Sequence, residues 1–180
     1  MTHYLFLADG FEEVEAITPV DVLRRTGLKV VTVSVGEGLE VAGAHGVTVR
    51  ADRQIADTDF TGAGYLILPG GQPGTTHLAA CEPLRRLLLD HAARGGRLAA
   101  ICAAPSVLGD LGLLRGKRYT CYPGCEKPWP DARKEDEGVS VDGDLVTAAG
   151  PAMALPFALN LLERLQGVDR AEEIAHSMIF

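Results

Sequence analysis

Cysteine is the residue type in this chain best suited to covalent chemistry, and there are four: Cys81, Cys102, Cys121 and Cys125. Cys102 stands in Ala99-Ala100-Ile101-Cys102-Ala103-Ala104-Pro105. An apolar run ends at the thiol, small residues flank it, and a proline suited to the first turn of a helix follows. Small neighbours permit a tight strand-to-helix turn that projects the side chain outward. This is the arrangement of a nucleophile elbow, although the usual glycines are missing. A thiol at a helix start faces unpaired amides and the positive end of the helix dipole, which predicts a lowered pKa and a thiolate nucleophile. The competing reading is a small buried hydrophobe.

A thiolate nucleophile needs a proton partner. Glu12, Glu13 and Glu15 follow the first strand, on a loop expected to face Cys102. Two of them are expected in solvent and the third pointed inward. A carboxyl held against a thiolate has a raised pKa; it keeps its proton, donates it to sulfur, or shuttles it during turnover. By spacing alone, an acidic helix start complementing the dipole is the simpler alternative. Pro69-Gly70-Gly71 forms a loop able to bring backbone amides close to a ligand, but no glycine-rich fingerprint or P-loop lysine accompanies it. Cys121 and Cys125 share a loop. A zinc site joining them to Cys81 or His77 lacks a second paired ligand motif, so no metal is expected. Cys121, next to Tyr122 near the expected mouth of the site, is a candidate resolving thiol for an oxidised Cys102. His91 falls on an apolar helix face and reads as a core or interface residue.

These residues must be held by a scaffold that alternates short apolar strands with amphipathic helices, the pattern of a parallel α/β sheet. Strands are expected at Tyr4 to Ala8, Leu28 to Val35, Tyr65 to Leu68 and Leu98 to Ile101. A small edge hairpin is expected over Val41 to Val49, turning near Gly46, and a second over Val139 to Thr147 with Asp-Gly at its turn. Thr18-Pro19-Val20-Asp21 resembles a capped helix start and predicts a helix from Pro19 to Arg25. Further helices are expected over Pro83 to Ala93, Pro105 to Leu111, Met153 to Leu165 and Arg170 to Met178. In a doubly wound sheet, ligands bind beyond the carboxyl ends of the strands. Asp9 to Glu15, Pro69 to Gly71 and Cys102 to Pro105 converge there.

Composition narrows the function. The 180 residues suit one domain, 1–180, with a full core. A net charge of −7 without a basic stripe argues against nucleic acid and anionic membranes as partners. No stretch approaches the roughly 18 apolar residues of a membrane span. The amino-terminal residues lack a basic n-region and read as mature structure. Four scattered cysteines suit a reducing cytoplasm.

Four ordered motifs carry a resemblance across nearly the whole chain. They are Phe11-Glu12-Glu13-Val14-Glu15-Ala16, Pro19 through Gly27, Leu68-Pro69-Gly70-Gly71, and Ala100-Ile101-Cys102-Ala103-Ala104-Pro105. Together they resemble the DJ-one branch of the ThiJ/PfpI superfamily, which includes the Parkinson-linked protein deglycase and many bacterial relatives. The resemblance implies a flavodoxin-like three-layer α/β/α sandwich with a mostly parallel sheet. It implies a reactive Cys102, a protonated Glu15, and amides of Gly71 and Ala103, with Gly70, near the sulfur. It also implies a homodimer, with Arg25 and His45 at positions where the family places arginines near the interface and site mouth.

Departures from the pattern matter too. Tyr122 occupies the position of a family histidine, and Ala103 that of the histidine directly after the cysteine in the protease-like branch. Peptidase activity is therefore not expected. Ala148-Ala149 and Ala152-Met153-Ala154 replace more polar or smaller residues, which predicts a more apolar pocket. The implied activity is cofactor-independent glyoxalase or deglycase chemistry on small α-oxoaldehydes such as methylglyoxal, or on their adducts. The alternatives are an oxidative-stress sensor or redox-regulated chaperone acting through Cys102, and, ranked lower, a small-substrate hydrolase or amidase.

Overall fold

The computed structural model describes residues 1–180. In chain order the elements are β1 (Thr2–Leu7), α1 (Glu13–Arg25), β2 (Lys29–Ser34), β3 (Glu40–Ala42), β4 (Thr48–Arg50), β5 (Arg53–Gln54), β6 (Ala63–Leu68), α2 (Gly74–Ala80), α3 (Glu82–Ala93), β7 (Arg97–Ile101), α4 (Pro105–Asp110), β8 (Arg118–Tyr119), β9 (Arg133–Lys134), β10 (Val139–Asp142), β11 (Leu145–Ala148), α5 (Ala154–Gln166) and α6 (Val168–Ser177). Seven strands form the main sheet in the order β10-β11-β7-β6-β1-β2-β5. Only β10 runs antiparallel to its neighbour; the other pairings are parallel.

Strand alternation splits the core between the two faces of this sheet. Leu5, Leu7, Tyr65, Ile67, Ala99, Ile101, Val146 and Ala148 face α1, α5 and α6, whose Val20, Leu23, Phe157, Leu161 and Ile174 close that layer. Tyr4, Phe6, Leu66, Leu68, Leu98 and Ala100 point the other way, onto Leu84 and Leu88 of α3 and Val107 and Leu108 of α4. The result is a three-layer α/β/α sandwich with a mostly parallel sheet. The chain winds outward from β1 to β2, then crosses over to β6 and β7 on the other side. The loops after β1 and β6 therefore meet at the point where the winding reverses, the usual binding crevice of such a sheet.

Several expected elements differ. Helix α1 starts at Glu13, six residues before the expected Pro19, and Pro19 lies inside it. The Thr-Pro-Val-Asp sequence looks like a cap, but the apolar stripe Ala16, Pro19, Val20 and Leu23 is buried at helical spacing and extends the helix backwards. Glu15 is thus on the first turn of a helix rather than on a loop. The β3–β4 hairpin pairs Val41 with Val49 as expected, but it is not at an edge of the main sheet. It caps the β1–α1 loop, with Gly10 N donating to Ala42 O at 2.7 Å and Ala44 N to Phe11 O at 2.8 Å. Helix α2 and the two-residue strands β5, β8 and β9 were not expected, because segments this short carry no periodicity. No helix is long and apolar enough to cross a membrane.

Candidate active site

The three loops expected to converge do so. Glu12 N donates to Gly70 O at 3.0 Å, tying the β1–α1 loop to the loop after β6. Cys102 N donates to Ala148 O at 2.8 Å, and Tyr122 N to Cys102 O at 2.8 Å, so the residue beyond β7 is gripped from both sides. Cys102 has φ 63, a left-handed conformation that costs a non-glycine residue roughly 1–3 kcal/mol. The strain belongs to the elbow: the chain turns from β7 through Ala103 and Ala104 into Pro105, the first residue of α4.

Glu15 is fully buried, 0% exposed. Its Oε2 accepts the Gly70 amide at 2.8 Å. Its Oε1 is buried with no hydrogen-bond partner, and the Cys102 thiol is the nearest ionisable group acting on the carboxyl. Gly70 permits this approach. A methyl group there would lie 2.7 Å from both Cys102 Cβ and Glu15 Oε2. Gly71, at φ +89, has no room for a side chain against the Glu12 amide and keeps its own amide on the sulfur side.

The electrostatics correct one expectation. Burial pushes the Cys102 thiol up to about 12, and the Glu15 carboxylate adds to the rise; the amides of Gly71 and Ala103 pull it down by less. Helix α4 has six residues and begins three positions past the thiol, too short and too distant for its dipole to prevail over burial. Burial also pushes Glu15 up to about 7; the neighbouring Cys102 thiol and the Gly70 amide pull it back by less. The two groups titrate as a pair. Below about pH 7 both hold protons; above it the pair holds one, with an unpartnered carboxyl oxygen poised to take the thiol proton as sulfur attacks.

The other candidates separate. Glu13 is not an ordinary solvated acid. Its Oε1 accepts the amides of His45 at 2.8 Å and Val47 at 3.3 Å, and its Oε2 lies 2.9 Å from His45 Nδ1. Burial opposes its ionisation, but these bonds outweigh it and hold the carboxyl down to about 2. His45 is exposed and sits between Glu12 and Glu13 at the periphery. Arg25 is paired with Asp21 at 2.9 Å. Ten residues along α1 from Glu15, it is about 15 Å away by helical rise and does not line the mouth of its own chain's site. Cys121 is not at the mouth either: it is 2% exposed and packed in the core cluster on the opposite face of the sheet from Cys102. Burial pushes its thiol up to about 11. Tyr122 is half exposed beside the elbow. No histidine is among the groups acting on the Cys102 thiol. His77, for instance, is spent on the Asp9 carbonyl at 2.8 Å. The Ala148 carbonyl that receives the Cys102 amide was not singled out from sequence; a backbone acceptor leaves no side-chain signal.

Fold and site together define an α/β protein with a cysteine elbow directly after the parallel strand β7 and a buried carboxyl beside it. A model of the DJ-1/PfpI family matches residues 1–164, and the chain belongs to that family. It is 34% identical over 177 residues to protein dj-1beta of Drosophila melanogaster, covering 97% of this chain and 95% of the relative. It is 37% identical over 175 residues to protein DJ-1 homolog B of Arabidopsis thaliana, covering 96% of this chain but only 40% of that longer protein. A Caenorhabditis elegans relative named glutathione-independent glyoxalase DJR-1.2 is 32% identical over 166 residues, 91% of this chain and 87% of the relative. The crystal structure of Drosophila DJ-1beta superposes with a TM-score of 0.91 at 35% identity, covering 99% of this chain and 98% of that one.

Proposed function

We propose that residues 1–180 act as a single-domain, glutathione-independent glyoxalase or deglycase-type enzyme, with Cys102 as nucleophile and Glu15 as proton carrier. The observation that carries this reading is a fully buried Glu15 with Oε1 unpartnered, whose carboxyl acts on a Cys102 thiol held at a left-handed elbow. The relative named as a glyoxalase supports the reaction class. Cys102 Sγ attacks the aldehyde carbon of an α-oxoaldehyde such as methylglyoxal. The thiol proton passes to Glu15 and on to the aldehyde oxygen, giving a hemithioacetal. Glu15 then removes the hydrogen on that carbon as a proton, through an enediol, and returns it to the neighbouring carbon. The aldehyde carbon is oxidised and the ketone reduced within one molecule, so no redox partner is consumed. Water cleaves the resulting thioester to a hydroxy acid and the free thiol. The amides of Gly71 and Ala103 are oriented to stabilise charge at the reacting centre.

The test is lactate formation from methylglyoxal without glutathione, resolved by enantiomer, for wild type, Cys102→Ser and Glu15→Gln. One enantiomer should dominate, and both variants should fall to background. Equal, racemic background in all three would end the reading. We further propose a cytoplasmic homodimer. Val14 and Ile17 on α1 and Val47 on the hairpin are exposed large apolar residues, and the Val47 amide is bonded to Glu13 at the start of α1, which supports an interface on this side. Sedimentation at micromolar concentration tests it, and a purely monomeric species would refute it.

A second reading is favoured by the same amides. They and the Glu15 carboxyl suit the oxygens of a sulfinate, formed as the thiol and two molecules of peroxide become the sulfinic acid and two of water. Mass spectrometry after peroxide decides. A sensor oxidises Cys102 first and stops at two oxygens; uniform oxidation of Cys81, Cys102, Cys121 and Cys125 excludes it.

A further inference from the structure

The wall beside the Cys102 elbow has a composition of its own. Tyr122 is anchored to the elbow through its amide on the Cys102 carbonyl. The loop carrying it is pinned on both sides. Thr120 N donates to Thr147 Oγ1 at 2.9 Å, and Cys125 N to Tyr122 O at 3.0 Å. One edge of the Tyr122 ring rests on Gly150. A methyl group built at Gly150 would be 3.3 Å from Cδ2 and 3.8 Å from Cε2, so the absent side chain makes room for the ring. Gly150 lies two residues beyond β11, and β11 is the strand whose Ala148 carbonyl holds the Cys102 amide. Ring, elbow and the end of β11 therefore form one unit.

The remaining surface of the ring is unspoken for. Tyr122 is 49% exposed, and none of the side-chain hydrogen bonds of the structure involves its phenol. The residues on either side of Gly150 in the chain, Ala149 and Pro151, are apolar and half-buried. An aromatic ring that is fixed in position, open on one side and next to a nucleophile is a stacking platform, and it costs little conformational entropy to use.

We propose that Tyr122 is a specificity-determining residue that selects neutral α-oxoaldehydes bearing an aryl group, such as phenylglyoxal, over methylglyoxal. This rests on the glyoxalase reading for the reaction itself. The aldehyde carbon goes to Cys102 Sγ, and the aryl group on the adjacent ketone carbon lies against the open side of the Tyr122 ring. Bond changes are those of the proposed mechanism, and the product is an aryl hydroxy acid.

The experiment compares kcat/KM for phenylglyoxal and methylglyoxal in wild type, Tyr122→Ala and Tyr122→Phe. Wild type should prefer phenylglyoxal. Tyr122→Ala should lower the phenyl-to-methyl ratio about fivefold to tenfold, the worth of one aromatic pair, while Tyr122→Phe keeps it. An unchanged ratio in Tyr122→Ala overturns the inference. A readout independent of turnover separates its failure from that of the enzyme reading. The rates of Cys102 alkylation by iodoacetamide and by N-phenyl iodoacetamide are followed by mass spectrometry in the same three proteins. If no oxoaldehyde is turned over, a phenyl preference lost in Tyr122→Ala upholds the platform while the glyoxalase reading falls. A preference unaffected by the substitution removes the platform.

Discussion

Two titratable side chains are completely buried near the ends of β1, and they behave in opposite ways. His3, near the amino end, is 1% exposed, and Glu15, just past the carboxyl end, is 0% exposed. His3 is satisfied: Nδ1 accepts the Tyr65 amide at 3.0 Å. Burial, with help from the terminal ammonium and Arg97, pushes its pKa down to about 4 and keeps it neutral. Glu15 is half satisfied, with Oε2 bonded and Oε1 without a partner beside a thiol. Equal burial thus yields a structural group where the hydrogen bonds close and a reactive one where a bond is left open. The cost of that open bond is borne by the fold.

Replacing Glu15 breaks the contrast most strongly. Its pKa rises from the ordinary carboxyl value to about 7 on folding. Between roughly pH 4.5 and 7 the folded state therefore binds more protons than the unfolded state, and stability falls as pH rises through that window. Glu15→Gln keeps an acceptor for the Gly70 amide and a donor for sulfur, without a charge to bury. It should be more stable than wild type above pH 7, by on the order of 3 kcal/mol, and indistinguishable at pH 4.5. Activity should drop at least about 100-fold, the usual worth of a general acid–base group. Wild-type kcat/KM should rise with pH to a plateau, with its midpoint near 7. Denaturant melts at pH 4.5 and 8, paired with the pH–rate profile, check both halves. Activity retained in Glu15→Gln would remove Glu15 from the chemistry.

Gly70→Ala attacks the same pair through geometry rather than charge. The added methyl must displace Cys102 Cβ or Glu15 Oε2, each 2.7 Å away. It should cost about 1–3 kcal/mol as an overpacked core substitution does. Activity should fall with it, and Glu15 should titrate lower as it is pushed towards solvent. An active, equally stable variant would mean that the close approach is incidental.

His3 sharpens the comparison from the other side. Its folded pKa lies below the unfolded value of about 6.5. The unfolded chain binds the extra proton, and stability falls as pH drops from about 6.5 towards 4. His3→Asn, which keeps an acceptor for the Tyr65 amide, should flatten that acid limb by roughly 2 kcal/mol, since the ammonium and Arg97 contributions are partly screened. It should leave catalysis untouched. Melts of wild type and variant at pH 4.5 and 7 test this, and parallel curves would show that His3 is not the titrating group.

How much of this was legible depended on how local each feature is. Cys102 was readable because its signal is contiguous: an apolar strand, small residues, then a helix-starting proline. The choice of Glu15 among three neighbouring acids was not, because it depends on the phase of α1, and a false cap at Thr18-Pro19 hid where α1 begins. Only the ordered family motifs singled it out. The thiol pKa was read in the wrong direction because a helix start is visible in sequence while the depth of burial is a tertiary quantity. Cys121 illustrates the same limit. It is one residue from Tyr122 in sequence, yet alternation along the chain sends it into the core on the far face of the sheet.

The smallest effect is expected at Glu13, and it serves as the control for Glu15. Both are carboxyls on the first turn of α1, two residues apart, and both accept backbone amides. Glu13 differs in having both oxygens engaged, by the His45 and Val47 amides and by His45 Nδ1. Nothing is left over to carry a proton to sulfur. Glu13→Gln keeps the oxygen that accepts the two amides and loses only the charge facing an exposed imidazole, so activity should stay within about twofold. The trace it does leave is specific. Glu13 is the main cause of the raised His45 pKa, so the His45 titration followed by NMR should move down in the variant while the pH–rate midpoint near 7 stays put. A midpoint that moved with His45 would show that the acids of this turn act as one network, and that the free oxygen of Glu15 does not by itself set the chemistry.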